Sequence, residues 1–206
     1  LCSGSWTRSR WSFGCLRCRR RGAGSGGHVV LIGHDYFANE DTADQILANA
    51  VLLAEADTIN ITAYVEAADI GGEYANMLSA IDSSLSSIGV SYTVTEVYDE
   101  VGIDLSTTDV LLIPEQESSN EEALIAVGAA WNDQLFTFTD SGGVVIAADY
   151  NGSGGGTWRT IEGLFDIAPS GTANVSGNTL TIADPTSPLV IDVTAVSYTA
   201  PNGSLS

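Results

Sequence analysis

One histidine and a row of carboxylates directly follow the apolar runs of this sequence, and they are its residues best suited to chemistry. His34, Asp35 and Tyr36 come after HVVLIG, and Glu66 and Asp69 after INITAYV. Asp99 and Glu100 follow the next run; Glu115, Gln116 and Glu117 follow DVLLIP; Asp149, Tyr150 and Asn151 follow GVVIAA. A carboxylate beside a histidine orients the imidazole and stabilises its protonated form, which makes a general base. His34 with Asp35, Glu115 or Asp149 is therefore the candidate catalytic set of a hydrolase. Carboxylates are also hard oxygen ligands, so Asp35, Glu115, Glu117 and Asp149 form a candidate site for a divalent cation, Ca²⁺ or Mg²⁺. No other cofactor is expected. The plainer explanation is that these acids cap the helices that follow, where the macrodipole favours negative charge. No D-x-[DN]-x-[DN]-G calcium loop is present, and no nucleophile is tied to His34 by spacing.

Around these acids lie other groups that a ligand could touch: Tyr36, Gln116, Glu117, Tyr150, Asn151 and Ser153. The stretch Asn151-Gly-Ser153-Gly-Gly155 follows a strand, as a G-x-S-x-G elbow does, but lacks its first glycine. It also lacks the lysine of a phosphate-binding P-loop. A flexible turn accounts for it. Tyr36, Tyr150 and Trp158 would supply the aromatic platform of a calcium-stabilised adhesion or glycan-binding module.

The elements that must position these residues can be read from periodicity. His28–Gly33 is a short β-branched run, predicted as a buried strand. Strands are also predicted over 59–65, 90–97, 109–113 and 143–148. Between them, helical spacing covers 39–54, capped by Asn39 or Asp41, and 73–88, with Met77, Leu78, Ile81, Leu85 and Ile88 on one face. A third helix covers 120 to about 138, and a short helix 157–165. Buried strands alternating with amphipathic helices predict an α/β fold: a doubly wound parallel sheet with helices on both faces. Residues 173–175, 179–182 and 189–193 predict a small β excursion near the C-terminus.

Charge divides the chain. Six of its seven basic residues lie in 8–21, there is no lysine, and all 26 acids lie from Asp35 onward. From residue 22 on, only Arg159 opposes those acids, a formal charge of −25. Phosphate backbones are held by Lys and Arg, so nucleic acid is excluded as a partner of this part. A cation, a glycan or another protein is compatible with it. No apolar run is long enough to span a membrane. The three cysteines, Cys2, Cys15 and Cys18, all lie in the head. Cys15-Leu-Arg-Cys18 has the C-x-x-C spacing but lacks the context of a zinc or redox site. Gly22–Gly27 contains G-x-G-x-x-G before the first strand of the domain, which makes it a linker rather than a dinucleotide loop. Residues 1–27 are thus expected to be a disordered extension, or a segment foreign to the natural protein. Residues 28–206 form the domain, its core over 28–166, and further strands are expected after Ser206.

The segments DVLLIPEQE (Asp109–Glu117) and SGGVVIAADYNG (Ser141–Gly152), with a helix between them, resemble the class I glutamine amidotransferase-like superfamily. GHDYF and SGGVVI point to a secreted bacterial branch of it. The resemblance implies a flavodoxin-like α/β sheet. It also implies a nucleophilic cysteine on the turn after Val144–Ala148, where this sequence has Asp149-Tyr150-Asn151. The histidine and acid that the family carries late in the chain are missing here, since both histidines are early. Glutamine hydrolysis is therefore not expected. The leading expectation is a non-catalytic or degenerate module of an extracellular or cell-surface protein.

Overall fold

The apolar runs form the strands of one sheet, and the polar turns set their ends. The structure, a computed structural model, describes residues 15–17, 26–99, 103–150, 156–165, 173–201 and 203–204. Five strands run parallel: β2 (His28–Ile32), β3 (Thr58–Tyr64), β4 (Ser91–Val97), β5 (Val110–Ile113) and β6 (Val144–Ala148). A short strand β1, Cys15–Arg17, pairs antiparallel with β2 at the outer edge. It lies in the head expected to be disordered; Cys2, Cys18 and most of that head lie outside the described residues.

Between the strands come α1 (Asp41–Leu52), α2 (Glu73–Ile88) and α3 (Glu121–Asp140), followed by a 3₁₀ turn over Thr157–Leu164. The spatial order of the sheet is β1-β2-β6-β5-β3-β4. Counted along the chain, the five parallel strands stand in the order 3-2-4-5-1. A flavodoxin-like sheet has the order 2-1-3-4-5. The expectation is corrected here: the edge place of the last strand is filled by β2, the first parallel strand, so the order is a permuted form. The doubly wound character holds, with α1 and α2 covering one face and α3 with the 3₁₀ turn the other.

Burial explains why these runs are strands. Every residue of β5 and β6 is buried, as a parallel sheet covered on both sides requires. Val30, Ile32, Ile61, Leu112 and Ile146 pack on the α1–α2 side, against Ile46, Leu47, Met77 and Ile81. Val29, Leu111, Ile113 and Val145 pack on the other side, against Val127, Trp131, Leu135 and Ile161. The edge strand β4 alternates between exposed and half-buried residues.

The helix ends depart from expectation in small ways. Glu40, not Asn39 or Asp41, caps α1: its carboxylate accepts from the Ala43 N–H at 3.0 Å. Asn120 caps α3 in the same way. Gly89 ends α2 in the left-handed region, at φ 73°, a conformation glycine adopts without Cβ strain. Ile88, expected on the buried face, is exposed beside this cap.

The C-terminal excursion is an antiparallel pair, β7 (Thr179–Thr181) with β8 (Ser197–Thr199). Residues 189–193, expected as a strand, are not one. Pro188 opens a 3₁₀ turn over Pro188–Val190, and the Ser187 hydroxyl caps it by accepting from the Leu189 N–H. Proline has a fixed φ and no N–H for a ladder, so it favours the turn. Asn49 of α1 then holds the segment, donating to the carbonyls of Leu189 and Ile191.

Candidate functional site

The loop after β2 turns inward and runs across the carboxyl edge of the sheet. Tyr36 is fully buried, and its hydroxyl donates to the Ala43 carbonyl at 3.3 Å. Its backbone N–H donates to Glu115 Oε1 at 3.1 Å. The β2 loop is thereby joined to the loop after β5, although β6 lies between the two strands. Gln116 fixes the β5 loop on its other side. Its amide donates to the Tyr64 and Pro114 carbonyls at 3.0 and 2.8 Å and accepts from the Ala67 N–H at 3.1 Å, while its backbone N–H donates to Thr157 Oγ1. All the polar groups of this buried side chain are used to tie β3 to β5, so Gln116 positions the edge rather than meeting a ligand.

Three carboxylates meet where these loops meet. Asp35, Glu73 and Glu115 each place an oxygen within 4.8 Å of the others, and all three residues are buried. A second group, Asp69, Glu73 and Glu117, shares Glu73 and opens toward solvent. No backbone N–H and no alcohol or phenol hydroxyl among the described residues reaches Glu115 Oε2, Glu73 Oε2 or Glu117 Oε1, all of them buried atoms. Burial first, then the negative charge of Asp35, pushes the Glu115 carboxyl up to about 9 against the Tyr36 N–H. Burial, a hydrogen bond to Glu73 and the charges of Glu73, Asp69 and Asp35 push Glu117 to about 8. Asp35 is raised as well, by burial and then by Glu73, against the N–H of Phe37. Carboxylates this close share protons or a cation, because their charges repel where water cannot screen them. The C-terminal segment lies over Asp35: the Asp35 N–H donates to Ser204 Oγ at 3.3 Å. Gly203 stands at φ 95°, and a Cβ there would fall 1.6 Å from Asp35 Oδ2.

Asp149 does not join the cluster, so its place in the expected metal set is corrected. Its Oδ1 accepts from the backbone N–H groups of Tyr150, Gly156 and Thr157 at 2.9, 3.0 and 3.2 Å, and Oδ2 from Trp158 at 3.4 Å. It is the organiser of the turn after β6. Glu73 takes its place among the acids. Its position was visible in the sequence, four residues before Met77 and in line with Ile81 on the buried face of α2.

Among the described residues His34 has no carboxylate partner, which corrects the expected catalytic set. It is 1% exposed, and neither ring nitrogen makes a well-formed hydrogen bond. The ring stands edge-on to Tyr36 at 4.7 Å, with Tyr198 at 6.3 Å. Burial pushes its pKa down to about 4, opposed by the Ala38 carbonyl. The aromatic platform is also overturned: Tyr36 is fully buried, Trp158 is 7% exposed, and Arg159 stacks on Trp158 at 3.9 Å. Tyr150 is half-buried; Glu66 and Asp99 are exposed. Asn151, Ser153 and Glu100 lie outside the described residues. No helix among the described residues is long and apolar enough to cross a membrane.

No protein-family model matches the chain, and no curated protein or solved structure matches it either.

Proposed function

We propose that this chain is a non-catalytic, amidotransferase-like binding or structural module of a secreted or surface protein. One observation carries the reading. The turn after β6, where the resemblance calls for a nucleophile, has an aspartate whose two oxygens are taken up by four backbone N–H groups. A group so engaged is held in the turn and is not free to attack; burial raises its pKa, and the four N–H groups only partly oppose that. His34 supports the same reading: with no carboxylate among the described residues to orient it, it is a core aromatic rather than a general base. The lysine-free acidic surface supports a partner other than nucleic acid or anionic lipid, and it agrees with an extracellular or cell-surface setting.

The test is turnover by the purified chain. With glutamine and with simple aryl esters, release is expected at the buffer rate, with and without divalent cations, and His34→Gln is expected to leave that rate unchanged. Release above buffer that disappears in His34→Gln would establish the hydrolase reading instead.

A further inference from the structure

We propose that the carboxylates of Asp35, Glu73 and Glu115 bind a divalent cation, with Ca²⁺ the best fit, and that this ion locks the loops after β2 and β5 to the start of α2. The first support is geometric. Ca²⁺ is held by oxygens at about 2.3–2.6 Å, and ligand atoms all within 4.8 Å of one another can share one such ion. The three residues come from three separate loops or helix starts, so an ion between them acts as a crosslink rather than as a surface decoration.

The second support is independent of the clustering. Glu115 is 1% exposed, yet its Oε2 has no donor among the described residues; Glu73, 7% exposed, is in the same position at Oε2, and its side-chain hydrogen bond is to another acid, Glu117. Buried carboxylate oxygens without a partner are costly, and their own neighbours here are other acids. The third support is elimination. Arg159 is the only basic side chain from residue 22 onward, and it is committed to Glu121 and Glu162. His34 is not among the groups within reach of the cluster. The positive charge that would balance three buried carboxylates must then come from outside that part of the chain, from a metal ion or an arginine of the head, or the acids must hold protons. Glu117 and Asp69 extend the site toward solvent through the shared Glu73 and give an ion a path of entry.

Ca²⁺ is preferred over Mg²⁺ because Mg²⁺ keeps several waters and demands octahedral geometry, whereas Ca²⁺ accepts a crowded, irregular set of carboxylates. The ion would bind beneath the Gly203–Ser204 cover on Asp35, so binding should also tighten that cover. This inference does not rest on the absence of catalysis: turnover in the assays above would overturn the non-catalytic reading and leave the cation site standing.

The experiment uses the whole chain, stripped of metal with a chelator and then dialysed. At roughly a hundredfold excess over Kd, added Ca²⁺ is expected to raise the melting temperature by about 5–10 °C. Matched ionic strength from NaCl should not do so. Glu115→Gln and Glu73→Gln keep the side-chain shape but remove a charged ligand, and each is expected to abolish the shift; Glu121→Gln, on the exposed surface, should keep it. Should either glutamine variant fail to fold, Tb³⁺ luminescence on the unaltered chain reads the same site: emission sensitised by the protein's aromatics, displaced by Ca²⁺ at one ion per chain. No melting shift with Ca²⁺ and no displaceable Tb³⁺ emission would overturn the proposal. So would a Ca²⁺ shift retained in both folded glutamine variants, which would mark diffuse binding to the acidic surface.

Discussion

Replacing Asp149 by alanine is expected to destabilise the fold by about 3 kcal/mol, the cost of leaving buried backbone donors without their acceptor. The magnitude follows from what is left behind. Four backbone N–H groups of the turn after β6 lose their acceptor, three of them bonded to one oxygen. Hydrogen bonds to a charged group contribute about 1.5–3 kcal/mol each, and buried donors left bare cost about 1–3 kcal/mol, although the losses do not add. Asp149→Asn keeps one carbonyl oxygen and is expected to cost less, about 1–2 kcal/mol by the same values. Urea unfolding followed by tryptophan fluorescence measures both. Trp158 sits in that turn, so its environment should change before the core opens. A loss below about 1 kcal/mol for the alanine variant would mean that the turn is held by something other than this carboxylate.

The second large effect is a pH dependence in chelator. Glu115 has a folded pKa of about 9 against an ordinary 4.5. A raised acid favours folding only while it holds its proton, so its contribution is complete below about 4.5 and is lost as pH rises through about 9. Glu117, pushed to about 8, acts in the same direction but is only half-buried and therefore screened. The groups facing Glu115 are Asp35, Glu73 and Glu117, with the Tyr36 N–H, and all the side chains among them are acids. His34 has the opposite sign: lowered from 6.5 to about 4, it contributes stability above 6.5 that is lost as pH falls toward 4. The two oppose each other below about 6.5, and above it only the acids act. In chelator, stability is therefore expected to fall between pH 7 and 9 by a few kcal/mol at most, since one group contributes up to about 1.4 kcal/mol per pH unit. Ca²⁺ should flatten that fall, and so should Glu115→Gln without any cation. A chelator profile that is level or rising over this range would contradict the burial of an uncompensated Glu115.

Much of the fold was legible because its determinants are local. Runs such as VLLI and VVIAA are too apolar and β-branched to be anything but buried strands, and Gly89 and Asn120 mark helix ends by their own backbone and side-chain preferences. The order of the strands was not legible in the same way. Which end of the parallel strands β2 occupies depends on a crossover that carries the chain past β6 and β5, and no short pattern encodes it. The turn at Pro188 was misread as a strand because its apolar residues suit both; the proline and Ser187 were the deciding features.

The site shows the same division. Asp35, Glu115 and Glu117 could be placed at the carboxyl edge from their positions after strands, but which acids meet depends on the path of the β2 loop over β6. That path is set by the long-range bond from Tyr36 to Glu115. Asp149 was indistinguishable from them in sequence, and its engagement by residues up to nine positions later is a property of the folded turn. Glu73 carried a usable sign, an acid in register with a buried helical stripe, which ordinary helix-start preference concealed.

The cation-holding role of this edge is tested most directly by anomalous scattering from crystals of the whole chain grown with Mn²⁺ in place of Ca²⁺. A strong peak is expected between the carboxylates of Asp35, Glu73 and Glu115, absent from Glu115→Gln crystals grown in the same way. Peaks confined to exposed acids such as Glu66 or Glu121, with none between those three residues, would contradict it.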